Sequence, residues 1–300
     1  MDPREPRDLR EPRDPRERQG EPAGRPQGPR KPGEASGESD IRERIEALRL
    51  VLHSRRAQGY APAAEPVPGG GAAEIEHARE VSGDHGRCLL IERDVGEILG
   101  ADAPGDERLT EAYRKLLPEA APGAEPARAA VVYLDLETTG LAATPLFLAG
   151  ALVHRDGGLR AVQLLARDYS EERCVIDLVD GMLAGCGVCV TFNGKSFDLP
   201  YLRERAKYHR LALRPGPEQF DLLHHARRRW KHRLPDCRLL TLEWFILGRR
   251  RMGDVDGWEV PCIYHEFVHT KDARRLKQVL RHNLMDVLAM AELMVSLAEA

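Results

Sequence analysis

The sequence predicts an α/β fold in which a mixed β-sheet is flanked by α-helices. Two apolar segments, 146–154 and 159–167, flank Asp156-Gly157-Gly158, and such an arrangement is typical of an antiparallel hairpin. From residue 170 onward, helical and strand patterns alternate along the chain. The hydrophobic fraction of 42% is sufficient for a packed core.

The individual elements follow from hydrophobic periodicity and from signals at their ends. Strands are expected at the short apolar runs 88–92, 131–136 and 188–192. Helices are expected over 108–117, 170–184, 198–209, 220–230, 239–247 and 274–299. Ser170 is the predicted N-cap of one helix, and Pro200 is tolerated in the first turn of another.

The N-terminal part of the chain has a different composition. Residues 1–40 repeat variants of Asp-Pro-Arg-Glu-Pro-Arg, and such a charged, proline-rich stretch is predicted to be disordered. Helical spacing of apolar residues follows at 41–58, and 61–73 has the composition of a linker. We therefore expect a tail at 1–40, a helical segment, linker and domain extension at 41–125, and the main domain at 126–300.

Composition also limits the class of protein. The sequence has no run of about 18 apolar residues, and its charged N-terminus has no apolar signal core. We expect a cytoplasmic protein with no membrane partner. Cys186 and Cys189 form a lone CxxC, which we interpret as small residues leading into a buried strand in a reducing compartment.

Two carboxylates stand at the end of the strand predicted at 131–136. Asp135 and Glu137 are two residues apart, so a strand directs both to the same face. Neighbouring carboxylates repel each other unless a cation lies between them, and Mg²⁺ and Mn²⁺ favour oxygen ligands. Taken alone, the motif has a solvated strand end as its alternative explanation.

Two further motifs add carboxylates to this picture. Asp198 follows a strand and a turn, at the edge of the sheet where ligands bind in α/β folds, although helix capping also explains an aspartate there. His282 and Asp286 are four residues apart on the last helix and share one face. A carboxylate beside the apolar stripe of that helix needs a partner, and a metal ion is one way to supply it.

In this order, the motifs resemble those of the DEDD 3′–5′ exonuclease superfamily. Their residues are most similar to those of its YprB-type ribonuclease-H-like branch. The matching stretches are YLDLETTGL, VTFNGKSFD, FDLLHHARR and RHNLMDVL, within residues 131–297. The resemblance implies a ribonuclease-H-like mixed β-sheet flanked by α-helices. The N-terminal extension lies outside it.

The resemblance also implies a nuclease that hydrolyses phosphodiester bonds at the 3′ end of DNA or RNA. It assigns two divalent metal ions, Mg²⁺ or Mn²⁺, to four carboxylates: Asp135, Glu137, Asp198 and Asp286. One ion would activate a water molecule and the other would stabilise the leaving 3′ oxygen. His282 would be the general base. The better-known branches have Tyr four residues or His five residues before the last Asp, so an orienting role is the alternative for His282.

Six more residues are predicted to bind the substrate at the end of the nucleic acid: Thr138, Thr139, Gly140, Asn193, Lys195 and Asn283. Asp221 is expected to support the metal ligands. The basic runs 227–233 and 249–251 are either solvated faces or phosphate-binding surfaces, with Trp230 as a platform for base stacking. Relatives in this branch resemble companions of helicases, which makes a helicase or repair protein a second expected partner.

Two other functions are weighed against the exonuclease. A non-catalytic nucleic-acid-binding module of the same fold is consistent with the unusual spacing of His282. The segment from His265-Glu266 to His269 has the HExxH pattern of zinc metalloproteases, but no metzincin-type extension supplies a third ligand. A P-loop at Gly194-Lys195-Ser196 is excluded, because Cys189 stands where the upstream glycine is required.

Overall fold

Seven strands form one mixed sheet in the part of the chain that the structure describes. The strands are β1 (Ala78–Gly83), β2 (Gly86–Asp94), β3 (Val131–Thr138), β4 (Leu146–Arg155), β5 (Gly158–Leu165), β6 (Val188–Thr191) and β7 (Glu218–Asp221). Their order is β1-β2-β5-β4-β3-β6-β7. The first five strands in this order, β1, β2, β5, β4 and β3, pair antiparallel with their neighbours. The last three, β3, β6 and β7, are parallel to one another. The predicted α/β fold with a mixed sheet is confirmed.

The structure is a computed structural model that describes residues 75–100, 103–117, 131–140, 143–155 and 158–300. All of these residues belong to one compact unit, Ala63–Ala300. The predicted tail, the helix at 41–58 and the linker at 61–73 lie outside the described residues. No helix in the described ranges is both long enough and apolar enough to cross a bilayer.

Helices cover both faces of the sheet. They are α1 (Val95–Leu99), α2 (Asp106–Leu116), α3 (Glu172–Ala184), α4 (Asp198–Tyr208), α5 (Leu222–Trp230), α6 (Leu239–Phe245), α7 (Val260–Thr270) and α8 (Leu276–Glu299). The alternation of side chains along β3 separates two cores. Val132 and Leu134 pack with α3 and α4, whereas Tyr133 packs with α2 and α8. Asp135 and Glu137 continue the face of Tyr133, towards α8.

Two local predictions about the elements are wrong, and one strand was missed. β1 was not predicted, because an edge strand with exposed charged residues lacks a strong apolar pattern. The helix expected from residue 220 begins after Asp221, whose side chain accepts a hydrogen bond from the N–H of Leu223 and so caps α5. Ser170 is not an N-cap. Asp168 accepts from the N–H of Ser170 and caps a short 3₁₀ turn that precedes α3.

Candidate functional site

Three elements bring four carboxylates together at one edge of the sheet. Asp135 and Glu137 lie near the end of β3, α4 begins with Asp198, and α8 carries Asp286. The Oδ1 atom of Asp198 accepts a hydrogen bond from the N–H of Leu136 at 3.1 Å, which fixes it between the two strand carboxylates. Asp286 repels the charge of each of the other three carboxylates. The four predicted acids therefore form one cluster.

Burial and mutual repulsion disfavour the charged forms of these acids. Burial, followed by repulsion from Asp286 and Glu137, raises the pKa of Asp135 well above its usual range. Burial raises the pKa of Glu137 to about 8, against the opposing charge of His282. Burial also raises the pKa of Asp198 to about 7, although the N–H of Leu136 acts in the opposite direction. Such a cluster is stabilised by a bound cation.

A pair of buried amides orients Asp135. Asn283 is fully buried, and its Nδ2 donates to Asp135 Oδ2 at 2.8 Å. Gln163 Nε2 in turn donates to Asn283 Oδ1 at 2.9 Å. Gly150 leaves room for this contact, since a Cβ atom there would lie 2.1 Å from Asn283 Oδ1. Asn283 was predicted to contact the substrate, but its burial gives it the different role of positioning a carboxylate.

His282 lies between two carboxylates. Its Nδ1 donates to Asp254 Oδ1 at 2.9 Å, and its Nε2 is 3.8 Å from Asp286 Oδ2. Burial lowers the pKa of His282, but the hydrogen bond to Asp254 and the charges of Asp286 and Glu137 outweigh it, so that the pKa rises to about 8. Because Nδ1 is held by Asp254, Nε2 is the atom that is able to exchange a proton within the acid cluster.

Arg251 connects the acid cluster to α6. Its Nε and Nη2 atoms donate to the two carboxylate oxygens of Glu243, at 2.6 and 2.8 Å. Nη2 is also 2.5 Å from Asp286 Oδ1, and Nη1 is 3.3 Å from Asp254 Oδ2. The side chains of Arg251 and Glu243 are 6% and 1% exposed, so this is a buried ion-pair network.

Neither Arg251 nor Asp254 was identified as a site residue from the sequence. Arg251 was placed in a basic run with a solvated or phosphate-binding role, and that interpretation is wrong for this residue. Arg249 of the same run pairs with Glu292 at 2.8 Å. Arg250 is exposed. No local signal distinguishes these three arginines, because their partners come from α6 and α8.

Replacing Arg251 tests whether this network is as tightly coupled as its burial indicates. We expect Arg251→Met to lower the free energy of unfolding by about 3–5 kcal/mol, because the buried Glu243 carboxylate loses its countercharge. Denaturant unfolding at neutral pH measures this loss. Arg250→Met, the control, removes an exposed guanidinium and should cost less than about 1 kcal/mol. Equal losses in the two variants would contradict the network.

Asp221 organises the turn that leads into Asp198. Its carboxylate accepts hydrogen bonds from the N–H groups of Asn193 and Lys195, at 2.8 and 3.2 Å. Asn193 has a φ of 68°, in the left-handed region that asparagine tolerates better than most residues. Both Asn193 and Lys195 are exposed, whereas Asp221 is buried. The turn therefore exposes an amide and an ammonium group in the segment that leads into Asp198.

The turn after β3 uses its hydroxyl groups internally. Thr138 Oγ1 donates to the carbonyl oxygen of Gly140 at 2.7 Å, and Thr139 Oγ1 donates to that of Pro145 at 3.2 Å. Both threonines are buried. Their hydroxyls were predicted to contact substrate, but they hold the turn in shape instead. Gly140 is the partly exposed member of this turn.

The residues of the HExxH pattern are exposed on α7 and engaged elsewhere. His265 Nδ1 is 2.5 Å from the hydroxyl of Tyr169, and Glu266 pairs with Arg275 at 3.0 Å. His269 Nδ1 is 2.7 Å from the carbonyl oxygen of His265 in the same helix. Within the described ranges, no group of three or more His, Cys, Asp or Glu side chains is arranged so that it could hold a metal ion, and this includes the acid cluster as it stands.

Trp230 is not available for base stacking. It is buried and packs in a cluster with Ala226, Leu242 and Leu293. The arginines around it, at positions 227–229, are exposed. The run at 227–233 therefore contains the end of α5, where three exposed arginines precede one buried tryptophan.

Two known proteins are similar to part of this chain. The protein is 37% identical over 175 residues to "Uncharacterized protein YprB" of Bacillus subtilis (strain 168), across 56% of this chain and 41% of that relative. It therefore spans less than half of the relative's length. A solved structure of the family B DNA polymerase from the hyperthermophilic archaeon Pyrobaculum calidifontis is similar over 56% of this chain and 24% of that one, with 21% identity and a TM-score of 0.44.

A family match covers the sheet from β3 onward together with the helices that follow it. Residues 132–298, more than half of the chain, match the family described as the RNase_H superfamily. The matched range begins in β3 and ends in α8, so it contains all four carboxylates and His282. The chain belongs to the RNase_H superfamily.

Proposed function

We propose that this protein is a metal-dependent 3′–5′ exonuclease that hydrolyses phosphodiester bonds in DNA or RNA. The observation that carries the proposal is the meeting of four carboxylates and one histidine at a single edge of the sheet. Membership of the RNase_H superfamily supports a nuclease-type fold with a nucleic acid as its substrate. The preference for a 3′ end rests on the resemblance of the motifs to DEDD exonucleases.

The donor atoms of the acid cluster suit a hard divalent cation. Asp135 accepts from Asn283 through one oxygen, and Asp198 accepts from the N–H of Leu136 through one oxygen. One oxygen of Asp286 pairs with Arg251. Each carboxylate therefore has a second oxygen for a cation. Glu137 makes no hydrogen bond with any residue that the structure describes. We assign two ions, Mg²⁺ or Mn²⁺, to Asp135, Glu137, Asp198 and Asp286. Such ions lower the pKa of an attacking water and stabilise a leaving oxygen.

The protein side chains position the reactants and move the proton. Asp254 fixes the imidazole of His282 in the tautomer whose Nε2 is free to accept a proton from water. Cations among the carboxylates would offset the charges of Asp286 and Glu137, two of the groups that raise the pKa of His282, and would so favour the neutral ring. We assign contacts with the terminal nucleotide to the exposed Asn193 and Lys195 and to Gly140.

The raised pKa values predict that the metal-free protein loses stability as pH rises. Burial raises the pKa of Glu137 from 4.5 to about 8 and the pKa of Asp198 from 3.8 to about 7. The folded state therefore binds more protons than the unfolded state between these values, so the free energy of unfolding falls with rising pH. His282 acts in the same direction, because its stabilisation is complete below 6.5 and is lost through about 8.

Thermal unfolding with a chelator, between about pH 5 and pH 8, measures this dependence. Saturating Mg²⁺ should restore stability at the alkaline end of the range. Glu137→Gln removes one of the titrating groups and should flatten the profile. A profile that is identical in wild type and Glu137→Gln would contradict the account.

A denaturing-gel time course on 3′- and 5′-labelled DNA and RNA strands tests the proposed function. We expect a ladder that shortens from the 3′ end with Mg²⁺ or Mn²⁺ and is absent with chelator or in Asp198→Asn. Cleavage inside the strand or from the 5′ end would contradict the end preference. Binding with no cleavage of any strand would favour the non-catalytic module.

The non-catalytic module has one observation in its favour. Arg251 forms an ion pair with Asp286. In an inactive relative that binds no metal ion, such a guanidinium would neutralise the carboxylate in place of the metal. The remaining assignments stay predictions, namely a helicase or repair partner, the cytoplasmic location, and the division of the chain after residues 40 and 125. The zinc metalloprotease is not proposed, because the HExxH side chains are engaged with Tyr169, Arg275 and their own helix.

A further inference from the structure

An aromatic and basic surface lies on the α6 side of the acid cluster. It consists of Trp244 and Phe245 at the end of α6 and Met252 in the following loop, which are 54%, 53% and 74% exposed. The guanidinium of Arg250 lies 5.2 Å from the centre of the Trp244 ring. We call these four residues the Trp244 surface. It is an exposed, mainly aromatic surface with a cation beside it.

A cavity of about 180 Å³ adjoins this surface and is rich in positive charge. Four arginines line it: Arg249, Arg250, Arg251 and Arg281. The two acids in the lining, Glu243 and Asp254, both pair with Arg251. Arg281 is exposed and has no ion pair or hydrogen bond with any described residue. The cavity therefore keeps positive charge that no described carboxylate neutralises.

We propose that the Trp244 surface and this cavity bind one nucleotide of a single-stranded nucleic acid, with a base against Trp244 and a phosphate at Arg250 and Arg281. Aromatic stacking together with cationic contacts to the backbone is the general chemistry by which single strands are held. An internal base of a duplex has both ring faces covered by its neighbours, so only an unpaired strand can place such a base against Trp244. The site therefore selects single strands over duplex.

The position of Arg281 connects this site to the proposed function, on which the inference rests. Arg281 precedes His282 on α8, and Asp254 is shared between the cavity lining and the hydrogen bond to His282. A strand held here lies next to the acid cluster. An acidic peptide would also satisfy the arginines, but it would leave the exposed tryptophan face without a stacking partner.

Binding in the absence of metal isolates the site from hydrolysis. The probe is a fluorescein-labelled single-stranded oligodeoxyadenylate of about 12 nucleotides, and its anisotropy is followed with chelator present. Trp244→Ala should weaken binding by roughly 5- to 150-fold, the usual effect of losing one stacked base. Arg250→Gln combined with Arg281→Gln should lower the slope of log affinity against log salt by about 0.7, because the two arginines contact a single phosphate.

The matched control combines Arg173→Gln and Arg203→Gln, which remove two exposed arginines from other helices, α3 and α4. This control should keep the wild-type affinity and salt slope. Thermal unfolding of every variant separates loss of the site from loss of the fold, and Trp244→Ala removes only an exposed ring. Displacement of the probe by polyglutamate as efficient as by unlabelled strand would assign the site to acidic peptides and overturn the proposal.

Three other results would also overturn it. These are unchanged binding in both test variants, equal affinity for a duplex of the same length, and no binding by the wild type. Because metal is absent, these results are independent of the exonuclease assay. If the protein hydrolyses strands from the 3′ end but the test variants bind normally, the proposed nucleotide site is contradicted and the exonuclease function is not. If the test variants lose binding but the wild type cleaves no strand, the exonuclease function is contradicted and the nucleotide site is not.

Discussion

Asp135→Asn should abolish metal-dependent hydrolysis and, at the same time, stabilise the metal-free protein. The loss of activity should be at least about 10³-fold, since metal ions supply several kcal/mol of charge stabilisation in the transition state. The gain in stability follows because burial and repulsion from three other carboxylates disfavour the ionised form of Asp135, and an amide does not ionise. Each kcal/mol gained should raise the Tm by about 2–4 °C.

Two measurements on one preparation check this prediction: the rate of strand shortening with Mg²⁺ and the Tm with chelator. Asp84→Asn is the control, because Asp84 is exposed in the β1–β2 connection. It should change stability by less than about 0.5 kcal/mol and leave the rate unchanged. A lower Tm for metal-free Asp135→Asn would show that the carboxylate is structurally needed, and near-normal activity would remove it from the metal site.

His282→Ala should slow turnover by about 10²–10⁴-fold, the range that a general base contributes. The physical reason is the free Nε2, which faces the carboxylates while Nδ1 is held by Asp254. The rate of the wild type should rise with pH as the imidazolium loses its proton, and this rise should disappear in His282→Ala. Single-turnover rates at saturating metal, measured across pH, give both results.

Asp254→Asn keeps the imidazole but exchanges its carboxylate acceptor for an amide. We expect this variant to be slowed while retaining a pH-dependent rate, because the base is still present but less well oriented. If His282→Ala turns over at the wild-type rate with the same pH profile, His282 only orients the site. That outcome would support the alternative raised by its unusual spacing before Asp286.

The acid cluster was predictable because each of its members follows from a local pattern. The period of a strand places Asp135 and Glu137 on one face, and the period of a helix does the same for His282 and Asp286. A strand, a turn and a helix start bring Asp198 to the same edge of the sheet. In each case the backbone geometry is set within a few residues, so the sequence is enough.

The residues that support the cluster could not be predicted in this way. Arg251 and Asp254 lie in the segment between α6 and α7, which has neither a helical nor a strand period. Their partners are Glu243, His282 and Asp286, so their roles appear only once α6 and α8 are packed together. A charged run looks solvated in a sequence even when two of its three arginines are paired with acids.

The predicted roles of Trp230 and Asn283 are wrong for a different reason. In both cases the helical spacing of neighbouring apolar residues indicates that the side chain is buried. Ala226 and Trp230 are four residues apart and face the same core cluster, which their apolar spacing indicates. Asn283 lies within the apolar stripe of α8, next to Leu280 and Leu284. A polar side chain on a buried stripe needs a hydrogen-bonding partner inside the protein, and Asp135 is that partner.

Anomalous scattering from crystals soaked in Mn²⁺ tests the central claim most directly. The account predicts two peaks, about 3.5–4 Å apart, bound by Asp135, Glu137, Asp198 and Asp286. Asp286 should then be shared between a metal ion and Arg251, through its two oxygens. Crystals with no peak among these carboxylates, and with Arg251 as the sole partner of Asp286, would contradict a metal-dependent nuclease.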